Sequence, residues 1–170
     1  MMKQVMLGLM CLISTSSIAQ QYCLTSGVET TPAADFVDIS EGEVLHSATN
    51  LIWKRCAEGQ TWNGSGCSGE AQKYTWQQAL QLALEANDIA QEGWRLPNIK
   101  ELAAITERLC VRPAINNDVF PATPPDDFWT STPSLTDTSR AWVVAFFNSS
   151  HSIKQKDRFV YVRLVRTNGS

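Results

Sequence analysis

Catalysis needs nucleophiles, titratable groups or metal ligands at workable spacing, and this chain offers few of them. His46 and His151 are its histidines, and they lie far apart in sequence. A lone imidazole needs partners for acid–base work, so His46 reads as a solvated strand residue and His151 as a turn residue. No G-x-S-x-G nucleophile elbow occurs. With no C-x-x-C pair and no clustered histidines, no metal site is expected. Asp126-Asp127 is a carboxylate pair in a loop. A hard cation wants about six or more oxygens, so the pair reads as solvated. The expectation is a protein with no catalytic residues, no metal and no cofactor.

The side chains that could bind a partner are cations and one tryptophan. The whole chain carries a formal charge of -3, which gives no reason to expect nucleic acid as a partner. Residues 140–170 hold Arg140, Lys154, Lys156, Arg158, Arg163 and Arg166 against Asp157 alone, a local excess of +5. Such asymmetry can mark an anion-binding face. On a regular strand, Lys154, Lys156 and Arg158 fall on one face at i, i+2, i+4. Their spacing of about 7 Å, two strand rises, would suit a sulfated or phosphorylated polymer. The same row also fits an edge strand that uses cations to block aggregation. Trp62 sits among Gly and Asn in a loop, where it serves either as a contact residue or to pack the loop down. Trp53, Trp76, Trp94, Trp129 and Trp142 fall on apolar stripes and read as core. Arg95, Arg163 and Arg166 are expected to hold the fold through carboxylate pairs.

The cysteines point to a compartment. Residues 1–19 read as a secretory signal peptide: Lys3 supplies the basic start, Val5 to Ile13 the apolar stretch, and Ser17-Ile18-Ala19 the cleavage site. That stretch is too short for a permanent transmembrane helix. Cleavage before Gln20 removes Cys11 and leaves Cys23, Cys56, Cys67 and Cys110. An even set in an exported chain implies an oxidising compartment and two disulfides, for which three pairings exist. Cys56 and Cys67 bracket a Gly-rich loop whose closure is geometrically easy, and Cys23 would then tie the N-terminus to Cys110.

The elements that must position these groups follow from periodicity. Residues 20–35 form a polar arm, read as extended, and 36–167 form the folded domain. Residues 43–46 and 51–54 flank a turn and read as a hairpin, with Asn50 suited to a left-handed position. Thr75 and Gln78 make a capping box. Trp76, Ala79, Leu80, Ala83 and Leu84 then form one helical face that ends near Asn87. A second helix starts after Pro97, capped by Asn98 with Glu101 at its third position, and buries Leu102, Ile105 and Leu109. Prolines mark residues 111–127 as loop. Strands over 128–131, 141–147, 153–156 and 159–165 close an antiparallel meander. The class is α+β, two helices packed on antiparallel hairpins and a meander.

Taken in order, several segments resemble one family. They are Thr49-Asn50-Leu51-Ile52-Trp53, Tyr74-Thr75-Trp76, Trp94-Arg95-Leu96-Pro97-Asn98, Phe128-Trp129-Thr130-Ser131-Thr132, Trp142-Val143-Val144-Ala145-Phe146 and Tyr161-Val162-Arg163-Leu164-Val165-Arg166. The series is similar to the bacterial Lcl C-terminal domain family, typified by the C-terminal domain of the Legionella collagen-like adhesin. The resemblance covers about residues 36–167. It implies a C-type-lectin-like fold, related to the formylglycine-generating enzyme domains, in an exported or envelope-associated protein. Those enzymes use a late cysteine pair, and no cysteine follows Cys110 here, so their activity is not carried over. Calcium-dependent lectins carry a carboxylate or amide before Pro-Asn or Pro-Asp, whereas Leu96 precedes Pro97-Asn98. The Gly-X-Y stalk of the adhesin is also missing. Asn50 and Asn98 stand where the family often has Gly and Thr, and both keep the turn and cap chemistry.

The functional expectation is an exported, non-catalytic binding module of the cell envelope or surface, periplasmic or secreted. Its expected ligand class is an anionic or sulfated glycan, met by Lys154, Lys156, Arg158 and Trp62. The alternative is a protein-interaction subunit of an envelope complex or surface appendage.

Overall fold

In this computed structural model the described residues are 20–90 and 92–169; the expected signal peptide and Cys11 lie outside them. In chain order the elements are β1 (Tyr22–Cys23), β2 (Phe36–Ser40), β3 (Glu43–His46), β4 (Leu51–Lys54), β5 (Thr61–Trp62), β6 (Cys67–Ser68), β7 (Lys73–Tyr74), α1 (Trp76–Ala90), α2 (Ile99–Ala103), β8 (Cys110–Val111), β9 (Asp127–Pro133), β10 (Arg140–Ala145), β11 (Ser150–Gln155), β12 (Val160–Tyr161) and β13 (Val165–Thr167). The larger sheets have the orders β11-β10-β9-β12-β7 and β13-β4-β3-β2, and β1-β8 and β5-β6 are two-stranded. The class is mixed α+β, mostly antiparallel sheet with two helices. No helix among the described residues is long and apolar enough to cross a membrane.

The hairpin forms as its sequence dictates. β3 pairs with β4 from Glu43↔Lys54 to His46↔Leu51, and Asn50 takes the left-handed turn position with φ 55°. His46, however, is not solvated: it is 4% exposed, and its ring stacks on Phe36 with centroids 4.6 Å apart. Thr49 Oγ1 lies 2.9 Å from its Nδ1. The period-2 pattern puts position 46 on the same face as Val44, and that face is the core.

The arm is more structured than a free extension. β1 pairs with β8 in the register Cys23↔Cys110, and those two cysteines are bonded. Cys56–Cys67 is the second disulfide, so both expected pairings are present. Gln21 Nε2 donates to the carbonyls of Pro113 and Ile115, each at 2.7 Å. Farther along, the Thr31 amide donates to Glu107 Oε2 at 2.8 Å. A single 3-10 turn at Ala33–Asp35 then leads into β2.

Both helix starts hold. The Thr75 amide donates to Gln78 Oε1 at 2.9 Å, and the Gln78 amide donates to Thr75 Oγ1 at 3.3 Å. Asn98 and Glu101 form the second capping box. The buried faces differ from the expected ones. α1 buries Ala79 and Ala83, packs Leu82 and Ala86 inward, and leaves Leu80 and Leu84 exposed. Trp94 and Trp129 already fill the volume beneath α1, so a face of small alanines is what fits there. α2 stops at Ala103, because Thr106 Oγ1 donates back to the Ala103 carbonyl at 2.9 Å and turns the chain. Leu102 and Ile105 are buried as expected, while Leu109 lies beyond the helix and is half-buried.

The C-terminal strands depart from a simple meander. β9, β10 and β11 run antiparallel in order. The apolar run 159–165 then splits between the two sheets. Val160–Tyr161 joins β9 in parallel and β7 in antiparallel pairing, whereas Val165–Thr167 pairs with β4. Arg163 lies at the break and is fully buried. Its Nη1 donates to the Lys54 carbonyl at 2.8 Å and to the Arg55 carbonyl, and its Nη2 donates to Thr123 Oγ1 at 2.7 Å. These partners are not the carboxylate that was expected. Arg166 does reach one, Glu43 at 2.8 Å, and Arg95 makes a two-pronged pair with Glu101 at 2.8 Å on each prong. Trp53, Trp94 and Trp129 are core, while Trp76 and Trp142 are half-buried.

Candidate functional site

The three expected cations do not form a row. β11 ends at Gln155, so only Lys154 belongs to a strand; Lys156 and Arg158 lie in the following turn. Lys154 reaches Asp127 at 2.9 Å. Lys156 turns to α1, where its Nζ lies 4.0 Å from the centroid of the Trp76 ring and its carbonyl accepts the Trp76 amide at 2.9 Å. Arg158 is exposed and makes no ion pair among the described residues. β11 is an edge strand, the position where cations also guard against edge-to-edge association.

Lys154 and Arg158 do meet in one cleft. It has a volume of about 170 Å³ and is lined by Lys73, Asp126, Asp127, Lys154, Arg158, Phe159 and Val160. Pairing places Lys73 opposite Tyr161, and Asp127 begins the strand that runs beside Tyr161. Lys73 Nζ contacts Asp126 Oδ2 at 2.7 Å, and that hydrogen bond raises the Lys73 pKa. Burial alone would raise Asp126, but the Lys73 bond, the Asp127 amide and the nearby lysine charges outweigh it and hold the carboxyl below its usual range. The lining thus has three cations against two carboxylates. The lysines are already matched, so the unmatched charge is Arg158, next to Phe159, which is 63% exposed. A guanidinium can grip a carboxylate, sulfate or phosphate with two parallel hydrogen bonds, and an apolar ring face can lie on the phenyl. Asp126 and Asp127 are engaged by Lys73 and Lys154, and no group of three or more metal-binding side chains occurs among the described residues.

Trp62 lies elsewhere. Its cleft, about 240 Å³, is lined by Glu41, Gly42, Glu43, Lys54, Glu58 and neighbours, and shares no lining residue with the first. One face of its ring is covered by Arg55, whose guanidinium carbon is 4.4 Å from the centroid. The Trp62 Cβ also presses on Gly42, where an added Cβ would sit only 2.9 Å away. Trp62 is therefore half-buried in an acidic cleft, apart from the cations with which the sequence reading grouped it.

Two further cavities are open grooves on the flanks of α1. One, about 540 Å³, is lined mainly by Tyr74, Gln77, Gln78, Gln81 and Glu85; the other, about 560 Å³, by Leu80, Leu84, Trp94, Arg95 and Glu101 among others. Sequence reasoning missed the second groove by assigning Leu80 and Leu84 to the core. A signal was present: Ala79, Leu82, Ala83 and Ala86 also recur at i, i+3, i+4 and i+7, a stripe that leaves Leu80 and Leu84 outside it.

With the geometry in place, the family relationship is decided by one comparison. The model of the Lcl C-terminal domain matches residues 42–166. This chain belongs to the Lcl C-terminal domain family. A search of curated proteins finds no match. Apart from Glu41, the linings of both clefts and both α1 grooves fall within the Lcl C-terminal domain, whereas the arm, β1 and β2 precede it.

Proposed function

We propose that this Lcl C-terminal domain is an exported, non-catalytic binding module of the envelope or cell surface, built on a C-type-lectin-like scaffold. It takes an anionic group, such as that of a sulfated glycan, in the cleft of Lys73, Lys154 and Arg158. The observation that carries this reading is Arg158: exposed, unmatched by a carboxylate, and beside the exposed Phe159. Two disulfides suit an oxidising compartment. The non-catalytic reading is supported by the engagement of the reactive groups: the four described cysteines are bonded, and His46 is packed on Phe36. The test is retention on a heparin-type resin with salt-dependent release. Arg158→Glu and Lys154→Glu should each lower the salt needed for elution, with Arg158→Glu the stronger. Unchanged retention of both variants would remove this cleft from the reading.

A second reading, a protein-interaction subunit of an envelope complex, is favoured by the leucine-lined groove of α1. Stable co-purification with one protein, lost in a Leu80→Glu/Leu84→Glu variant that still binds the resin, would select it.

A further inference from the structure

We propose that Asn63 is a spontaneous modification site: in the folded, oxidised chain the Gly64 amide nitrogen attacks the Asn63 side chain and deamidates it. Asn63-Gly64-Ser65-Gly66 forms the tip of the β5–β6 hairpin, whose strands pair Thr61↔Ser68 and Trp62↔Cys67 and whose base is locked by Cys56–Cys67. Asn63 is exposed. Its Oδ1 accepts three hydrogen bonds, from the Ser65 amide at 3.1 Å, the Ser65 hydroxyl at 3.1 Å and the Gly66 amide at 2.9 Å. These donors sit where negative charge develops when a nucleophile adds to Cγ, the arrangement that stabilises a tetrahedral oxyanion.

The nucleophile is open as well. The Gly64 amide has no hydrogen-bond partner among the described residues. Gly64 has φ +95°, and a Cβ there would meet nothing within 4 Å. In the reaction the Gly64 amide loses its proton to solvent base, and its nitrogen bonds to Asn63 Cγ. The Cγ–Nδ2 bond then breaks, and ammonia leaves with a proton from water. The five-membered imide is opened by water at either carbonyl, giving aspartate or isoaspartate. One water enters and one ammonia departs, with no change of oxidation state. The product adds a carboxylate to the hairpin of Trp62, whose cleft already holds Glu41, Glu43 and Glu58.

The chain carries its own control. Asn168-Gly169-Ser170 repeats the tripeptide Asn63-Gly64-Ser65. At Asn168 it is the amide nitrogen Nδ2, the leaving group, that is held, donating to Asn50 Oδ1 at 3.0 Å. The experiment is peptide mass mapping of the oxidised full chain during incubation at mildly alkaline pH. Asn63 should gain the deamidation mass several-fold faster than Asn168, and Ser65→Ala should slow Asn63 several-fold. In the reduced, denatured chain the two asparagines should convert at similar rates, with or without the substitution. Equal rates at Asn63 and Asn168 in the folded chain, or an unchanged Asn63 rate in the folded Ser65→Ala variant, would overturn the proposal.

Discussion

A fully buried guanidinium without a carboxylate partner is an uncommon way to hold a fold. Arg163 achieves it with two carbonyls, one hydroxyl and the ring of Phe120, 4.9 Å from its guanidinium carbon. Burial pulls its pKa down to about 9, which still leaves it charged at neutral pH. Arg163→Met should cost at least about 3 kcal/mol, since three buried acceptors lose their donor, and the urea midpoint would register it. Arg163→Lys should not rescue it, because an ammonium cannot reproduce the planar fork. His46 makes a separate prediction. Burial lowers its pKa from 6.5, only partly offset by the charge of Asp35. Below about pH 6.5 the unfolded chain therefore takes up a proton that the folded chain resists, and stability falls as the pH drops. Glu107 behaves alike at lower pH: burial raises it, but the amides of Leu109, Thr31 and Thr30 outweigh burial and hold it below 4.5. Melting temperature should decline in two stages on acidification, and His46→Gln should remove the first. A single stage near pH 4 in the unmodified chain would contradict the His46 assignment.

At the scale of elements, what the sequence discloses is what is local. Both capping boxes and the left-handed Asn50 depend on side chains within three residues of each other, or on one backbone angle, and all were legible. The faces of α1 were not, because leucine outranks alanine on any hydrophobicity scale while the space beneath the helix was set by Trp94 and Trp129. Nor was the break in 159–165 visible. Its alternation reads as one strand, and the partners that turn Arg163 inward, Lys54 and Arg55, lie more than a hundred positions away. The candidate cleft was half legible for the same reason. Lys154 and Arg158 were named, but Lys73 enters only through the β7–β12 pairing.

For the whole molecule, the +5 excess of residues 140–170 does not become a basic face. Arg140 pairs with Asp137, Lys154 with Asp127 and Arg166 with Glu43; Lys156 covers Trp76, and Arg163 is interior. Arg158 is what the excess leaves at the surface, so binding there should be selective for a single anionic group and only moderately sensitive to salt. The two disulfides also differ in standing. Cys23 is exposed in the arm, whereas Cys56 is 7% exposed within the matched domain. Stepwise reduction followed by alkylation should label Cys23 and Cys110 before Cys56 and Cys67, with the circular dichroism of the domain retained. The reverse order would mean that the arm and the domain are not separable.

The Cys23–Cys110 bond has a mechanical consequence as well. It joins residues 87 positions apart. Tension applied at residue 20 passes from Cys23 directly to Cys110 and skips everything between. The β3–β4 hairpin, α1 and α2 lie inside that closed loop, so its length, roughly 300 Å if extended, cannot be drawn out by pulling. A reductant would release that length, turning a short tether into a long one.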